Sequence, residues 1–268
     1  MSSPRVLLLG GHGKVSLFMT PKFTSRSWHV TSVIRNADQK PAILEAGKNG
    51  PGSIDVLIAS LDDVKSQSDA QNILDQAKPD YVVWSAGAGG KGGAARTYAI
   101  DQHAAIHFIK SSIATPSIKK ILLVSALSER RKPAPWWSDE DWAGIQKMNT
   151  QVLPDYYKAK LAADDVLTLL GEERMARDKS FSYICLRPGL LSDEQESGKV
   201  QLGRTGTTGS VARADVADVA DRLLAAGARG WIDLLGGEKE VSAEVERVVK
   251  EGVTSIEGED LEAMKASL

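Results

Sequence analysis

Cysteine is almost absent from this chain: of its 268 residues Cys185 is the single example. No intrachain disulfide can form, and no cysteine cage can hold a metal. Cys185 stands in the apolar run Ser182-Tyr183-Ile184-Cys185-Leu186 and reads as a small buried hydrophobe. Long hydrophobic runs are missing too; none approaches the ~20 residues of a membrane span, so no membrane partner is expected. Neither sign of charge dominates. Lys and Arg number 33 against 35 Asp and Glu, a formal net charge of −2. With the signs interspersed there is no basic stripe to neutralise phosphates over several base pairs, which argues against nucleic acid. The expected partner is a small-molecule substrate, and the chain is expected to act as a monomer or homodimer. The opening Met1-Ser2-Ser3-Pro4-Arg5 lacks a signal-peptide core, since the apolar strand after it stops at a glycine turn, and a cytoplasmic location is expected. Internal repeats and low-complexity segments are absent. The length suits one α/β domain with a small appended region.

What is present is concentrated at Gly10-Gly11-His12-Gly13-Lys14-Val15-Ser16. Upstream, Arg5-Val6-Leu7-Leu8-Leu9 reads as a buried strand of a parallel sheet. Downstream, Val15, Leu17 and Phe18 begin a helix-like apolar face. A strand turning sharply into a helix leaves free backbone N–H groups and the positive end of the helix dipole beside the turn. Gly10 permits the turn, Gly13 lets a pyrophosphate approach the backbone, and Ser16 is small enough for close helix–sheet packing. The next strand, His29-Val30-Thr31-Ser32-Val33-Ile34, ends at Arg35-Asn36. No acid stands there for a ribose 2′-OH. Arg35 does, with a guanidinium suited to a 2′-phosphate, which points to NADP(H) over NAD(H). His12 and Lys40 read as exposed residues that could join that pocket.

Strands and helices alternate onward. Residues 53–59 read as the third strand, with helix signals from Asp62 through Leu74. Tyr81-Val82-Val83-Trp84-Ser85 is the fourth strand and opens into a second glycine-rich loop, Ala86-Gly87-Ala88-Gly89-Gly90-Lys91-Gly92-Gly93. A long helix from about Ala94 to Ser112 follows. Residues 118–125 form the fifth strand, residues 157–170 a helix and residues 182–186 the sixth strand. This alternation implies a Rossmann-type doubly wound α/β fold with ligands at the carboxyl ends of its strands. Within Tyr156-Tyr157-Lys158-Ala159-Lys160, Tyr156 and Lys160 are four apart, hence on one helix face. An ammonium there could lower the phenol's pKa and make it an acid or base near neutrality.

The order Gly10-Gly11-His12-Gly13, Arg35, Ala86-Gly87-Ala88-Gly89, Tyr156-x-x-x-Lys160 and Arg187-Pro188-Gly189 resembles the short-chain dehydrogenase/reductase superfamily. The match is best to its atypical branch of NAD(P)H-binding, epimerase/dehydratase-like proteins. Lys158 to Asp165, Arg187 to Leu191 and Gly209 to Ala217 extend the likeness, which covers roughly residues 4–237. It implies NADP(H) on a Rossmann sheet over residues 1–237, a substrate side built from about 126–155 and 189–212, and a C-terminal helical tail over 238–268. Carried over residue by residue, Gly10, Gly11, Gly13, Val15 and the backbone near His12 and Lys14 would hold the pyrophosphate, and Arg35 the 2′-phosphate. Ser60-Leu61 stands where the family often has Asp-Leu against adenine. Ala86 and Gly87 would pass the ribose, and Lys160 would reach the nicotinamide ribose. Catalysis would fall to Tyr156, Lys160 and a serine, either Ser125 or Ser128. The reading is an NADP(H)-dependent oxidoreductase acting on a small carbonyl-like or quinone-like substrate. The alternative is an NADP(H)-binding regulator without turnover, although such regulators tend to lack the tyrosine–lysine pair. Flavin reduction and epimerase-type chemistry are further readings.

Other signals are weaker. His103 and His107 have the spacing of a metal pair on a helix, but no adjoining acid completes a zincin pattern, and they read as surface histidines. Trp136, Trp137 and Trp142 could form a lid over a flat substrate or simply pack. Ser138 with Asp139, Glu140 and Asp141 reads as a helix cap with an acidic first turn. Val241, Val245, Val248 and Val249 sit at helical spacing in the tail.

Overall fold

The computed structural model describes residues 3–90 and 92–267; Met1, Ser2, Leu268 and Lys91 of the second glycine loop lie outside them. The first unit is β1 (Arg5–Leu9), α1 (Lys14–Ser25) and β2 (His29–Ile34), followed by α2 (Lys40–Gly47), β3 (Ser53–Ile58), α3 (Gln67–Ala77) and β4 (Tyr81–Trp84). Then come α4 (Gly93–Thr97), α5 (Ala105–Ala114), β5 (Lys120–Val124), α6 (Asp139–Lys147), α7 (Pro154–Arg177) and β6 (Ser182–Pro188). The chain closes with β7 (Leu190–Ser192), β8 (Lys199–Gly203), β9 (Ser210–Ala212), α8 (Arg213–Ala226), β10 (Gly230–Gly236), β11 (Lys239–Glu240), α9 (Val241–Glu251) and α10 (Leu261–Ala266).

Among the described residues one 9-stranded sheet runs β11-β8-β10-β6-β5-β4-β1-β2-β3. Pairings from β3 through β10 are parallel, and β8 joins β10 antiparallel at the far edge. The strand order reverses between β1 and β4, the point where a doubly wound sheet opens a crevice at its carboxyl edge. Alternate side chains of β1 feed two cores. Val6 and Leu8 pack with Met19 and Phe23 of α1 and with α8, while Leu7 and Leu9 pack with α3, α5 and α7. Both faces of a central parallel strand are therefore dry, which is why it reads as an unbroken apolar run.

Several boundaries differ from the sequence-based expectation. Where a helix was expected from Asp62, a 3₁₀ turn at Leu61–Asp63 comes first and α3 starts later, its Ser66 Oγ accepting the Asp69 N–H at 3.2 Å. The expected single helix from Ala94 becomes α4, π-helical turns over Tyr98–Ala104, and α5. Helix α7 is longer than expected at both ends. Pro154 suits its first turn, where no N–H is needed, and Gly171 does not stop it because the Tyr183 ring packs where a Cβ would be, 2.5 Å away. The Ser138 cap is a full capping box with Asp141. Beyond Gly237 the chain adds β11 to the sheet edge, and α9 packs on α8 with Val241, Val245 and Val248 buried.

Candidate functional site

At the switch point the residues expected to hold a pyrophosphate come together. Gly10 has φ +79°, and a Cβ on it would stand 2.7 Å from the Ala86 backbone, so β1 and the loop after β4 touch only because residue 10 is glycine. A Cβ on Gly11 would meet the Ser32 side chain at 2.8 Å, and the Gly11 N–H donates to Val33 O at 2.9 Å. These two glycines are demanded by packing. Gly13 differs: it is the exposed N-cap of α1, with no side-chain cap and no acid in the first turn. Just behind it the buried Ser16 Oγ finds no partner among the described residues. An uncapped helix end, a cradle that a branched side chain at 13 would fill, and an orphaned hydroxyl fit a dinucleotide pyrophosphate. Val15 lies in the core beneath. The Lys14 side chain turns aside to Asp193, 2.5 Å away, and Asp193 also takes Arg213 at 2.7 Å, so Lys14 offers the crevice only its backbone.

Arg35 is exposed at the end of β2, with its positive charge helping to hold Asp62 below the usual carboxylate range, an effect led by the Arg96 hydrogen bond. His12 Nδ1 lies 3.3 Å from Gln39 Nε2 on the same rim, and Lys40 is exposed beside it. Ser60 flanks the 3₁₀ turn that Leu61 opens, and Leu61 packs on the core. Asp62, one of the two acids of this turn, pairs with Arg96 at 3.0 Å. Sequence reasoning missed both, because nothing in their spacing announces a contact between the turn after β3 and α4.

The second glycine loop is held from below by Asp101. This carboxyl is buried and accepts the Ala88 N–H at 2.9 Å, and a Cβ on Gly87 would stand 2.9 Å from its Oδ1. The π-helical turns place Asp101 there; such turns are frequent at functional sites. A cleft of about 350 Å³ opens between this loop and the start of α7, with Ala88, Ala94, Asp101, Val152, Leu153 and Tyr156 in its lining. A larger cleft of about 500 Å³ includes Ser182 and Arg229, at the amino ends of β6 and β10, and faces away from the crevice.

Helix α7 carries Tyr156 into that cleft and buries Lys160, whose Nζ donates to Val124 O at 2.9 Å. Here one expectation needs correction. The phenol is not lowered by the lysine; burial, then the negative charges of Glu129, Asp101 and Asp164, push it well above its ordinary value. The serines are also committed inward. Ser125 Oγ donates to Asp164 Oδ2 at 2.7 Å and Ser128 Oγ to Glu129 Oε1 at 3.1 Å.

Behind this group lies a buried ionic network. Arg187 donates to Asp164 Oδ2 at 2.7 Å, to Asp233 Oδ1 at 3.0 Å and to the carbonyls of Leu127 and Glu129, with its guanidinium 3.8 Å from the Trp231 ring centroid. Ser255 Oγ donates to Asp233 at 2.8 Å, and Arg130 donates to the carbonyls of Ser255 and Glu257. The C-terminal segment is thereby tied to the ends of β5 and β6. Glu129 sits at the centre, its carboxyl pushed up to about 7 by burial and by Asp164. Asp101, Glu129, Asp164 and Asp233 were missed; only the nearness of Asp164 to Lys160 in the chain hinted at one of them.

The tryptophans pack and do not cover the cleft. Trp136 and Trp137 both donate from Nε1 to Thr205 O at 2.9 Å, and Trp137 joins Leu127, Ala134, Ile145 and Leu235 in a small core. His103 is exposed, and no cluster of metal-ligating side chains occurs among the described residues. No helix among them is long and apolar enough to cross a membrane.

A parallel sheet whose switch-point crevice combines a glycine turn with a tyrosine–lysine helix defines a nicotinamide-dinucleotide fold. The chain belongs to the NAD(P)H-binding family, whose model matches residues 10–226, within the atypical short-chain dehydrogenase/reductase superfamily. It is 31% identical to UPF0659 protein C216.03 of Schizosaccharomyces pombe over 79% of this chain and 80% of that one. To the uncharacterized sugar epimerase YhfK of Bacillus subtilis it is 26% identical, over 80% of this chain and 84% of that one. Among solved structures it resembles a candidate NAD-dependent epimerase/dehydratase from Bacillus halodurans, with a TM-score of 0.72 and 27% identity over 91% of this chain and 100% of that one.

Proposed function

We propose that this chain is an NADP(H)-dependent reductase of a small, uncharged carbonyl-like or quinone-like substrate. The observation that carries the reading is Tyr156, a phenol at a cleft beside the cofactor crevice with a buried lysine on the same helix face. When bound, the cofactor supplies a hydride to the substrate carbon. Tyr156, protonated at rest, then gives its proton to the substrate oxygen. Lys160 sits one turn further along α7, its Nζ donating to Val124 O at 2.9 Å. The described cleft lining is largely apolar, and its charged members, Asp101 and Asp155, are acidic. A sugar-nucleotide diphosphate would be repelled there, whereas a neutral carbonyl or quinone would not. Arg35 at the end of β2 supports NADP(H) as the cofactor. We place the protein in the cytoplasm, in keeping with a single buried cysteine that needs no oxidising compartment.

The test is a panel of aldehydes, ketones and quinones followed through NADPH absorbance. On the substrate found, Tyr156→Phe should lower turnover by about 10²–10⁴-fold with NADPH affinity nearly unchanged. Undiminished turnover would remove Tyr156 as proton donor. Tight NADPH binding with no turnover on any panel member would favour a regulator.

A further inference from the structure

A cation at the first residue of a helix is badly placed, because the positive end of the helix dipole repels it unless an anion stands by. Helix α1 begins with Lys14 and α8 with Arg213. The two helices pack together, tied by Lys22 to Asp218 at 3.2 Å and by Arg26 to Asp221 at 2.6 Å. One carboxylate answers both leading cations: Asp193 Oδ2 takes Lys14 Nζ at 2.5 Å, and Oδ1 takes Arg213 at 2.7 Å. Helix α1 has no acid of its own in its first turn. The acid in the first turn of α8, Asp215, is buried and accepts the N–H groups of Ser197 and Gly198 at 3.1 and 2.8 Å. Asp193 belongs to an exposed segment without regular structure, residues 193–197. Its rear is fixed on α8 through Asp215. Its front is held by ion pairs open to water, Asp193 with Lys14 and Arg213, and Glu196 with Lys22 at 2.7 Å. Such pairs contribute little to stability and exchange readily. Lys14 directly follows Gly13, so the cation that Asp193 holds is part of the phosphate-fitting turn itself.

We infer that Asp193 competes with the cofactor for Lys14 and Arg213: it holds the two cations in the free protein, and the incoming diphosphate takes them from it. The inference rests on a pyrophosphate seated at the glycine turn. Both cations already converge on one small anion. A diphosphate brings two negative charges where Asp193 has one, and its oxygens form strong charge-assisted bonds with Lys and Arg. The exchange makes and breaks no covalent bond, and the rear anchor on Asp215 need not move. When the dinucleotide leaves, the carboxylate recaptures the cations. Asp193 thereby sets how tightly the dinucleotide is held, with or without a 2′-phosphate.

The test is calorimetric titration of the full chain with NADPH and with NADH at low ionic strength. Asp193→Asn keeps the shape of the side chain and removes its charge. It should bind both cofactors about three- to tenfold more tightly, and the gain should fade as salt rises. Lys14→Met should weaken both by a similar factor. Opposite signs separate competition from mere fastening of the segment, which both variants would loosen alike. Unchanged or weaker binding in Asp193→Asn overturns the inference, and so does unchanged binding in Lys14→Met. A change seen with NADPH alone also overturns it, since that would put Asp193 at the 2′-phosphate. Gly13→Val, titrated alongside, tests the pyrophosphate seat separately. If that variant loses cofactor binding while Asp193→Asn matches the wild type, the seat stands and the competition falls. If it binds normally, both fall together.

Discussion

The glycine turn after β1 and the charged cluster behind Tyr156 are assembled in opposite ways. From Gly10 to Ser16 a short stretch of chain makes the turn, the helix cap and the free N–H groups, with Ala86 and Ser32 as close neighbours. The cluster draws Glu129, Asp164, Arg187, Asp233 and Ser255 from distant stretches that meet only after the sheet has formed. The turn is local, and what fits it to a phosphate is something missing, a side chain at 13. The cluster is non-local and its specificity comes from charges that must be mutually satisfied in a dry interior. Damage to the first should therefore cost binding, and damage to the second should cost stability.

That contrast is broken most forcefully at Asp233. Asp233→Ala leaves Arg187 with one carboxylate and strands Ser255, and removing one partner of a buried ion pair should cost about 3–5 kcal/mol of stability in urea unfolding. NADPH affinity of the protein that remains folded should be retained. A near-neutral change in stability, or an equal loss of binding, would erase the distinction between turn and cluster. A smaller effect is expected at the turn. Gly10 and Gly11 cannot serve, since any Cβ there collides with Ala86 or Ser32. Gly13→Val should weaken NADPH binding by roughly a hundredfold or more while circular dichroism stays unchanged. Normal binding in a folded variant would move the phosphate site elsewhere. The smallest effect is at the exposed rim. Arg35→Ala should lose about 1.5–3 kcal/mol of NADPH binding, a tenfold to hundredfold change, with little effect on NADH. Equal losses for the two cofactors in calorimetric titration would remove Arg35 from the 2′-phosphate.

Legibility followed the same division. Gly10, Gly13 and Ala86 were readable because turn chemistry and strand periodicity are short-range, and the structure brings them to one crevice. Tyr156 and Lys160 were readable as an i, i+4 pair, but the direction of the phenol's shift was not. It depends on Glu129, Asp101 and Asp164, which reach the phenol through the fold, and on burial, which a sequence does not display. The tryptophans show the same limit. Their crowding was visible, while their packing role follows from Thr205 O and Leu235, which come from distant segments. Strand β10 went unread for a related reason, since Asp233 interrupts its apolar run and is tolerated only because Arg187 and Ser255 bind it.

By itself the sequence determined the alternating strand–helix order, the glycine turn at the end of β1, the basic residue at the end of β2 and the tyrosine–lysine face of α7. Each of these is written in residues that interact within a strand, a turn or two turns of helix. The tertiary structure alone decided that burial and neighbouring acids raise the Tyr156 phenol, that the serines face buried acids, and that Ser255 and Glu257 brace the cluster behind Tyr156. The reason is that Coulomb and desolvation energies depend on distances in space and on exclusion of water, and only the packed sheet with its two helical layers sets either one.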